Sequence, residues 1–199
     1  MFTAIDSVPL TAIAFFMLTG ELMTSATITD RLVALSRALI GRIRGGLAQV
    51  NVLVSMFFAG MNGSVVADTA TVGALVLPAM KKAGYPAAFS AAVTGVSSTI
   101  GGIIPPSIMM IVLANSTEIS IAALFAAGIV PGILIGVVIM IINHYFAIKY
   151  NFERSDQPFS IRRAGKELYR SSFALLIPLV LVGSVMGGVA SVVEAGAIT

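Results

Sequence analysis

Apolar positions run almost unbroken from Val8 to Ile28. That is about 20 residues, the length a helix needs to cross the roughly 30 Å hydrocarbon core of a bilayer. The pattern then changes period. Over residues 29–45, Leu32, Leu35, Leu39 and Ile43 recur every three or four positions, with Arg31, Arg37, Arg42 and Arg44 between them. This predicts an amphipathic helix lying along the membrane interface. Residues 46–80 are apolar again and are followed by Lys81 and Lys82, but Asn62-Gly63 splits the run near its middle. Each limb holds about 16 residues, or about 24 Å of helix, too short for a full crossing. Both outer ends are basic, so the pattern predicts a re-entrant hairpin whose tip stops inside the membrane. Such a tip is tolerated only where protein or a water-filled cavity surrounds it.

The run over 86–115 is interrupted by "STIGGIIPPSI". Two prolines in series remove two backbone donors and disfavour helix at Ile104, and Gly101-Gly102 loosen the chain before them. A discontinuous transmembrane helix, unwound near the bilayer centre, is expected. Residues 119–147 read as a further span and 171–190 as a last one. Between them, 148–170 is a charged cytoplasmic segment with Arg154, Arg162, Arg163, Lys166 and Arg170.

Composition agrees with this pattern. The 199 residues are 57% hydrophobic and 11% charged, against about 25% charged in a soluble domain. The chain is therefore read as an all-α, multi-pass (polytopic) membrane protein with one transmembrane domain over 1–199. Its main partner is the lipid bilayer, and nothing points to nucleic acid. Each basic cluster falls on one side, cytoplasmic by the positive-inside tendency, with Asp6 and Glu118 on the other. There is no cysteine, which excludes disulfide and thiol chemistry. No basic segment precedes the first apolar run, so the N-terminus reads as part of the first span rather than a signal peptide.

Polar residues inside such a chain are candidates for chemistry. Ser64, Asp68 and Thr71 fall at i, i+4 and i+7 on the second hairpin limb, and Asn51, Ser55 and Asn62 share a face of the first. A charge at the bilayer centre costs about 2.5–3.5 kcal/mol on insertion scales, so Asp68 is a functional candidate; bracing the hairpin through hydrogen bonds is the competing role. Thr94, Ser97, Ser98 and Thr99 precede the break. Hydroxyls and freed carbonyls are hard oxygen ligands suited to a small cation, and discontinuous helices near the midplane bind substrate and coupling ion in many transporters. A simple kink with back-bonded hydroxyls is the alternative. Glu21 reads as a snorkelling or paired interfacial residue, His144 as interfacial, and Arg162 and Arg163 as topology-setting groups near anionic lipid.

The segments "GRIRGGLAQVNVLVSMFFAGMNGSVVAD", "LPAMKKAGY", "SSTIGGIIPPSI" and "ISIAALFAAGIVPGIL", in this order, resemble the large permease subunit (DctM type) of tripartite ATP-independent periplasmic (TRAP) transporters, from about Leu10 to the chain end. The resemblance implies half of an elevator-type ion-transporter fold, built in the family from two inverted repeats. It implies import of organic acids of the dicarboxylate or sugar-acid type, with sodium ions as the coupling ions and no other cofactor. It also implies a small transmembrane subunit, a periplasmic substrate-binding protein and the bacterial inner membrane. By position, Asn62, Gly63, Ser64 and Asp68 of the hairpin would join Ser97, Ser98, Thr99, Gly101, Pro105, Pro106 and Ser107 of the break in a sodium and substrate site. Asn62, Ser64 and the backbone of Gly101 to Pro105 would hold the ion. The chain departs from the family pattern where serine is common at Asn62 and proline at Ala14 and Gly102, and where "SVVEA" replaces a Thr-Pro-Thr-Glu-like segment.

The family's permease is about twice this length, which implies an N-terminal-half fragment, a split product or a truncated frame that needs its remaining half. Two other readings stand beside a sodium-driven importer. One is a channel-like protein using the hairpin as a selectivity element; the other is a non-functional remnant. An enzyme is not expected, since Asp68 has no second acid or nucleophile at matching depth.

Overall fold

The computed structural model describes residues 8–25, 28–40, 43–152 and 160–198. Asp6, Arg42 and Arg154 lie outside them. Regular structure among the described residues is helical throughout: α1 (Val8–Ser25), α2 (Ile28–Ile40), α3 (Gly46–Asn62), α4 (Val65–Lys82), α5 (Ala87–Ser98), a 3-10 turn (Thr99–Gly102), α6 (Ile108–Thr117), α7 (Ile121–Lys149), α8 (Ile161–Met186) and α9 (Val192–Ile198).

The centre of the fold is α3. A helix buried on nearly every side must be enclosed by others, and α3, whose polar Gln49, Asn51, Ser55 and Asn62 are buried with its apolar residues, packs against α1, α2, α4, α5, α7 and α8. Its Val52, Val54, Phe58 and Met61 form the main core with Val72 and Val76 of α4, Val93 of α5 and Ile100. A smaller cluster of Ala12, Ile111, Phe125, Leu181, Val185 and Ala195 joins α1, α6, α7, α8 and α9.

One end of this assembly is basic and aromatic. The Arg44 guanidinium donates to Asn151 Oδ1 at 3.2 Å. Tyr85, just after α4, meets the Phe152 ring at a centroid distance of 4.5 Å, and Phe89, Phe146 and Tyr150 extend the stack. The start of α3, the end of α4 and the end of α7 therefore meet at one level, beside Lys81, Lys82 and Lys149. Such an arrangement suits a membrane–water boundary, where aromatic rings and lysines settle.

At the opposite end of the hairpin, α3 stops at Gly63 (φ 59°), whose N–H bonds the Ala59 carbonyl, and α4 starts from Ser64, whose side chain accepts from the Ala67 N–H. This local chemistry makes Asn62-Gly63-Ser64 a turn: glycine accepts the left-handed conformation without penalty, and serine is a good N-cap.

Two features differ in detail from the sequence pattern. The charged segment before the last span is not a plain connection. Its second half belongs to α8, which runs through a 59° bend between Arg162–Ser172 and Ala174–Met186. The amphipathic first part lies against α2, where Ser171 Oγ donates to the Arg31 carbonyl at 3.3 Å. The "SVVEA" segment forms a reciprocal capping box opening α9: the Ser191 N–H donates to Glu194 Oε2 at 2.8 Å and the Glu194 N–H to Ser191 Oγ at 3.3 Å. Among the described residues, only Ile121–Lys149 is by itself long and apolar enough to cross a membrane; the two parts of α8 qualify together across their bend.

Gly63 is the position least able to take a side chain. A Cβ there would collide with the Pro106 carbonyl oxygen and lie 3.0 Å from Ser107 Cα, whereas Gly84 (φ 77°) has open space around it. Gly84→Ala should cost only the left-handed strain, about 1–2 kcal/mol. Gly63→Ala should lower the melting temperature of purified protein substantially more. Equal losses from the two substitutions would contradict the close seating of the turn.

Candidate functional site

The hairpin turn is seated on the break in the second helical pair. The Ile108 N–H donates to the Gly63 carbonyl at 3.2 Å, and Gly101 lies beside the Ser64 carbonyl and the Val65 nitrogen. The break is held by its own caps. Ser107 Oγ donates to the Gly102 carbonyl at 2.8 Å and accepts the Met110 N–H at 3.4 Å, which opens α6. Two helix N-termini, each capped by a serine, thus stand side by side at Ser64 and Ser107. Such termini carry partial positive charge and orphan N–H donors, the usual means of receiving an anionic group without arginine. The chain ends of α3 and of the 3-10 turn bring carbonyl oxygens to the same place, including Pro106 O beside Gly63.

Asn62, Gly63, Ser64, Gly101, Pro105, Pro106 and Ser107 gather at this junction. Asn62 is 4% exposed, and its Oδ1 accepts the Ser64 N–H at 3.2 Å, so the amide fixes the turn and its Nδ2 remains as a donor. Thr99 is different. Its side chain is exposed and its hydroxyl bonds the Val96 carbonyl at 2.7 Å, the back-bonded state of a hydroxyl at the end of a helix.

Asp68, Ser97 and Ser98 form a second, interior group one helical turn away. Asn51 of α3 donates to Thr94 Oγ1 at 2.7 Å and accepts from Ser97 Oγ at 3.2 Å, while Ser55 Oγ bonds Ser97 Oγ at 3.3 Å. Ser98 Oγ is committed to the Thr94 carbonyl at 2.8 Å. Asp68 is wholly buried, with Ser98 and Ser55 beside its carboxyl group, yet neither carboxyl oxygen accepts a well-formed hydrogen bond. The hydroxyls at hand are spent on α3 and α5. A buried carboxyl group without well-formed hydrogen bonds is costly.

The face shared by Ser64, Asp68 and Thr71 in the sequence is divided by packing. Ser64, Ala67 and Thr71 look onto α1 across a pocket of about 90 Å³, together with Asn62, Gly20 and Glu21, and Asp68 turns to α3 and α5. Glu21 is the residue whose placement the sequence did not reveal. The clue lies one position earlier: a Cβ on Gly20 would come 2.6 Å from Asn62 Cβ, so α1 lies directly on the hairpin turn and carries Glu21 to the same level.

These features are those of an all-helical fold, among the described residues, with a hairpin turn docked on the break between α5 and α6. The family profile "Tripartite ATP-independent periplasmic transporter, DctM component" matches residues 1–199, and the chain belongs to that family. It is 38% identical over 192 residues to the sialic acid TRAP transporter permease protein SiaT of Haemophilus influenzae, covering 96% of this chain and 31% of that protein. It is 35% identical over 199 residues to the sialic acid TRAP transporter large permease protein SiaM of Vibrio cholerae, covering 100% and 46%. To the C4-dicarboxylate TRAP transporter large permease protein DctM of Pseudomonas aeruginosa it is 36% identical over 198 residues, covering 100% and 46%. The chain thus spans less than half the length of these relatives. The family is one of membrane transport proteins, not enzymes.

Two substitutions separate the structural polar group from the costly one. Asn51→Leu should destabilise the protein by about 1–3 kcal/mol, because it removes two buried hydrogen bonds that tie α3 to Thr94 and Ser97 of α5. Asp68→Asn should leave the melting temperature unchanged or raise it, since it removes a buried carboxyl group that accepts no bond. A large loss of stability in Asp68→Asn would show that the carboxyl group braces the hairpin.

Proposed function

We propose that this chain supplies half of the binding site of a sodium-coupled importer of organic acids in the bacterial inner membrane. The observation that carries the reading is the bond from the Ile108 N–H to the Gly63 carbonyl, which joins a hairpin turn to a helix break. That junction offers what both ligands need. Carbonyl, hydroxyl and amide oxygens of Asn62, Ser64 and the Gly101–Pro105 backbone suit a sodium ion. The capped N-termini of α4 and α6 suit a carboxylate. Asp68, held without donors one turn below, adds negative charge near the ion site.

The hairpin is re-entrant in this reading. Its limbs of 17 and 18 residues fall short of the about 20 residues a spanning helix needs. Their outer ends share the aromatic, lysine-rich level with the end of α7, and the tip reaches only as far as the break. α5 and α6 cross as a pair, α1, α7 and α8 cross beside them, and the chain is multi-pass. The remaining half of the permease completes the site, and an elevator movement carries it across the membrane. A small membrane subunit and a periplasmic binding protein complete the transporter, as the tripartite family name implies. Sugar acids or dicarboxylates are the proposed cargo.

Uptake into proteoliposomes tests this with the complete permease, small subunit and binding protein. Saturable, sodium-dependent uptake should fall at least tenfold in Ser64→Ala or Asp68→Asn protein that melts normally; a lost oxyanion- or ion-holding group typically costs about that much or more. Non-saturable flux indifferent to sodium would favour the channel reading, and no flux from folded, assembled protein the remnant.

A further inference from the structure

We propose that Glu21 is a specificity-determining residue that accepts a hydrogen bond from a hydroxyl group next to the substrate's carboxylate, so that hydroxy acids are preferred over their unsubstituted analogues. The proposal rests on the organic-acid reading above. Its starting point is the pocket between α1 and the hairpin, about 90 Å³, room for a small polar headgroup and not for a whole sugar.

The two sides of this pocket have opposite character. On the hairpin side stand the Ser64 hydroxyl, the donor end of the Asn62 amide, the Thr71 hydroxyl and the N-terminus of the 18-residue α4. All can donate. On the α1 side stand the apolar Met17 and the Glu21 carboxylate, which can only accept when ionised. Among the described residues that line the pocket there is no lysine or arginine. A simple anion would be received by the hairpin donors but would face the Glu21 carboxylate. A carboxylate with a hydroxyl on a neighbouring carbon satisfies both sides at once, its carboxylate on the donors and its O–H toward Glu21. A carboxylate offers about four acceptor positions, so contacts Glu21 makes within the protein leave capacity for the ligand.

Gly20 lies against Asn62 with no room for a side chain, so the backbone of α1 is held at the hairpin turn and Glu21 stays at its level. A site built to pair a substrate hydroxyl discriminates strongly against the analogue lacking it, because a polar group is then left unpaired.

The test uses the complete permease, purified in sodium, with Glu21→Gln and Glu21→Ala variants. Affinities are measured by calorimetry for lactate against propionate and malate against succinate, pairs that differ by one hydroxyl. Wild type should prefer the hydroxylated member by about tenfold or more, the effect of one hydrogen bond to a charged group. Both variants should reduce the preference to near unity while keeping the affinity for propionate or succinate. An unchanged preference, or equal loss for both members of a pair, would overturn the proposal. Sodium-induced thermal stabilisation, run alongside in Ser64→Ala, keeps the two levels apart. If wild type binds the acids without preferring the hydroxylated member and is stabilised by sodium through Ser64, the Glu21 proposal fails alone; if neither acid nor sodium binds, the reading beneath it fails as well.

Discussion

A single seating holds the functional part of this molecule together: the carbonyl of Gly63 receives the Ile108 N–H while the turn presses against Pro106 and Ser107. Neither partner could stand alone out of reach of water. The hairpin turn exposes the end of α3 and the start of α4, and the break exposes the end of the 3-10 turn and the start of α6. In hydrocarbon each orphan group costs several kcal/mol. Docked on one another, the two interruptions satisfy part of their own backbone. What they leave over is two capped N-termini and a set of oxygens.

The polar interior behind this junction divides into a bonded path and a single carboxyl group. Asn51, Thr94, Ser97 and Ser55 bond one another in a continuous path that ties α3 to α5. Asp68 stands beside that path, close to Ser55 and Ser98 but without a well-formed bond to either. The nearby hydroxyls are bonded elsewhere, a local conflict between polar groups.

Much of this was legible in the sequence because it rests on local chemistry. Asn62-Gly63-Ser64 is a turn through glycine's left-handed backbone and serine's capping. The break at 99–107 follows from paired glycines and prolines, and the all-helical class follows from the length and period of the apolar runs. The individual roles within the site were less legible, because they depend on packing between distant segments. A 3.6-residue period puts Ser64, Asp68 and Thr71 on one broad face, but it cannot show that α1 covers one edge of that face and α5 the other. Glu21 looked interfacial from its place near the basic end of a span, and only its neighbour's contact with Asn62 brings it to the hairpin turn. Likewise, the arginines of the 148–170 segment masked an amphipathic helix continuous with the last span.

The central claim is that the hairpin tip stops within the membrane at the helix break. Since this chain has no cysteine, single cysteines can be placed in the complete, otherwise cysteine-free permease in sealed vesicles and reacted with an impermeant maleimide. Three positions decide the matter: Val66, exposed at the first turn of α4, Glu118 after α6, and Lys82 at the base of the hairpin. The account predicts that Lys82→Cys and Glu118→Cys react readily from opposite faces, and that Val66→Cys reacts far more slowly than either. Val66→Cys reacting from the outer face as fast as Glu118→Cys would mean that the hairpin crosses the membrane completely, and would contradict the account.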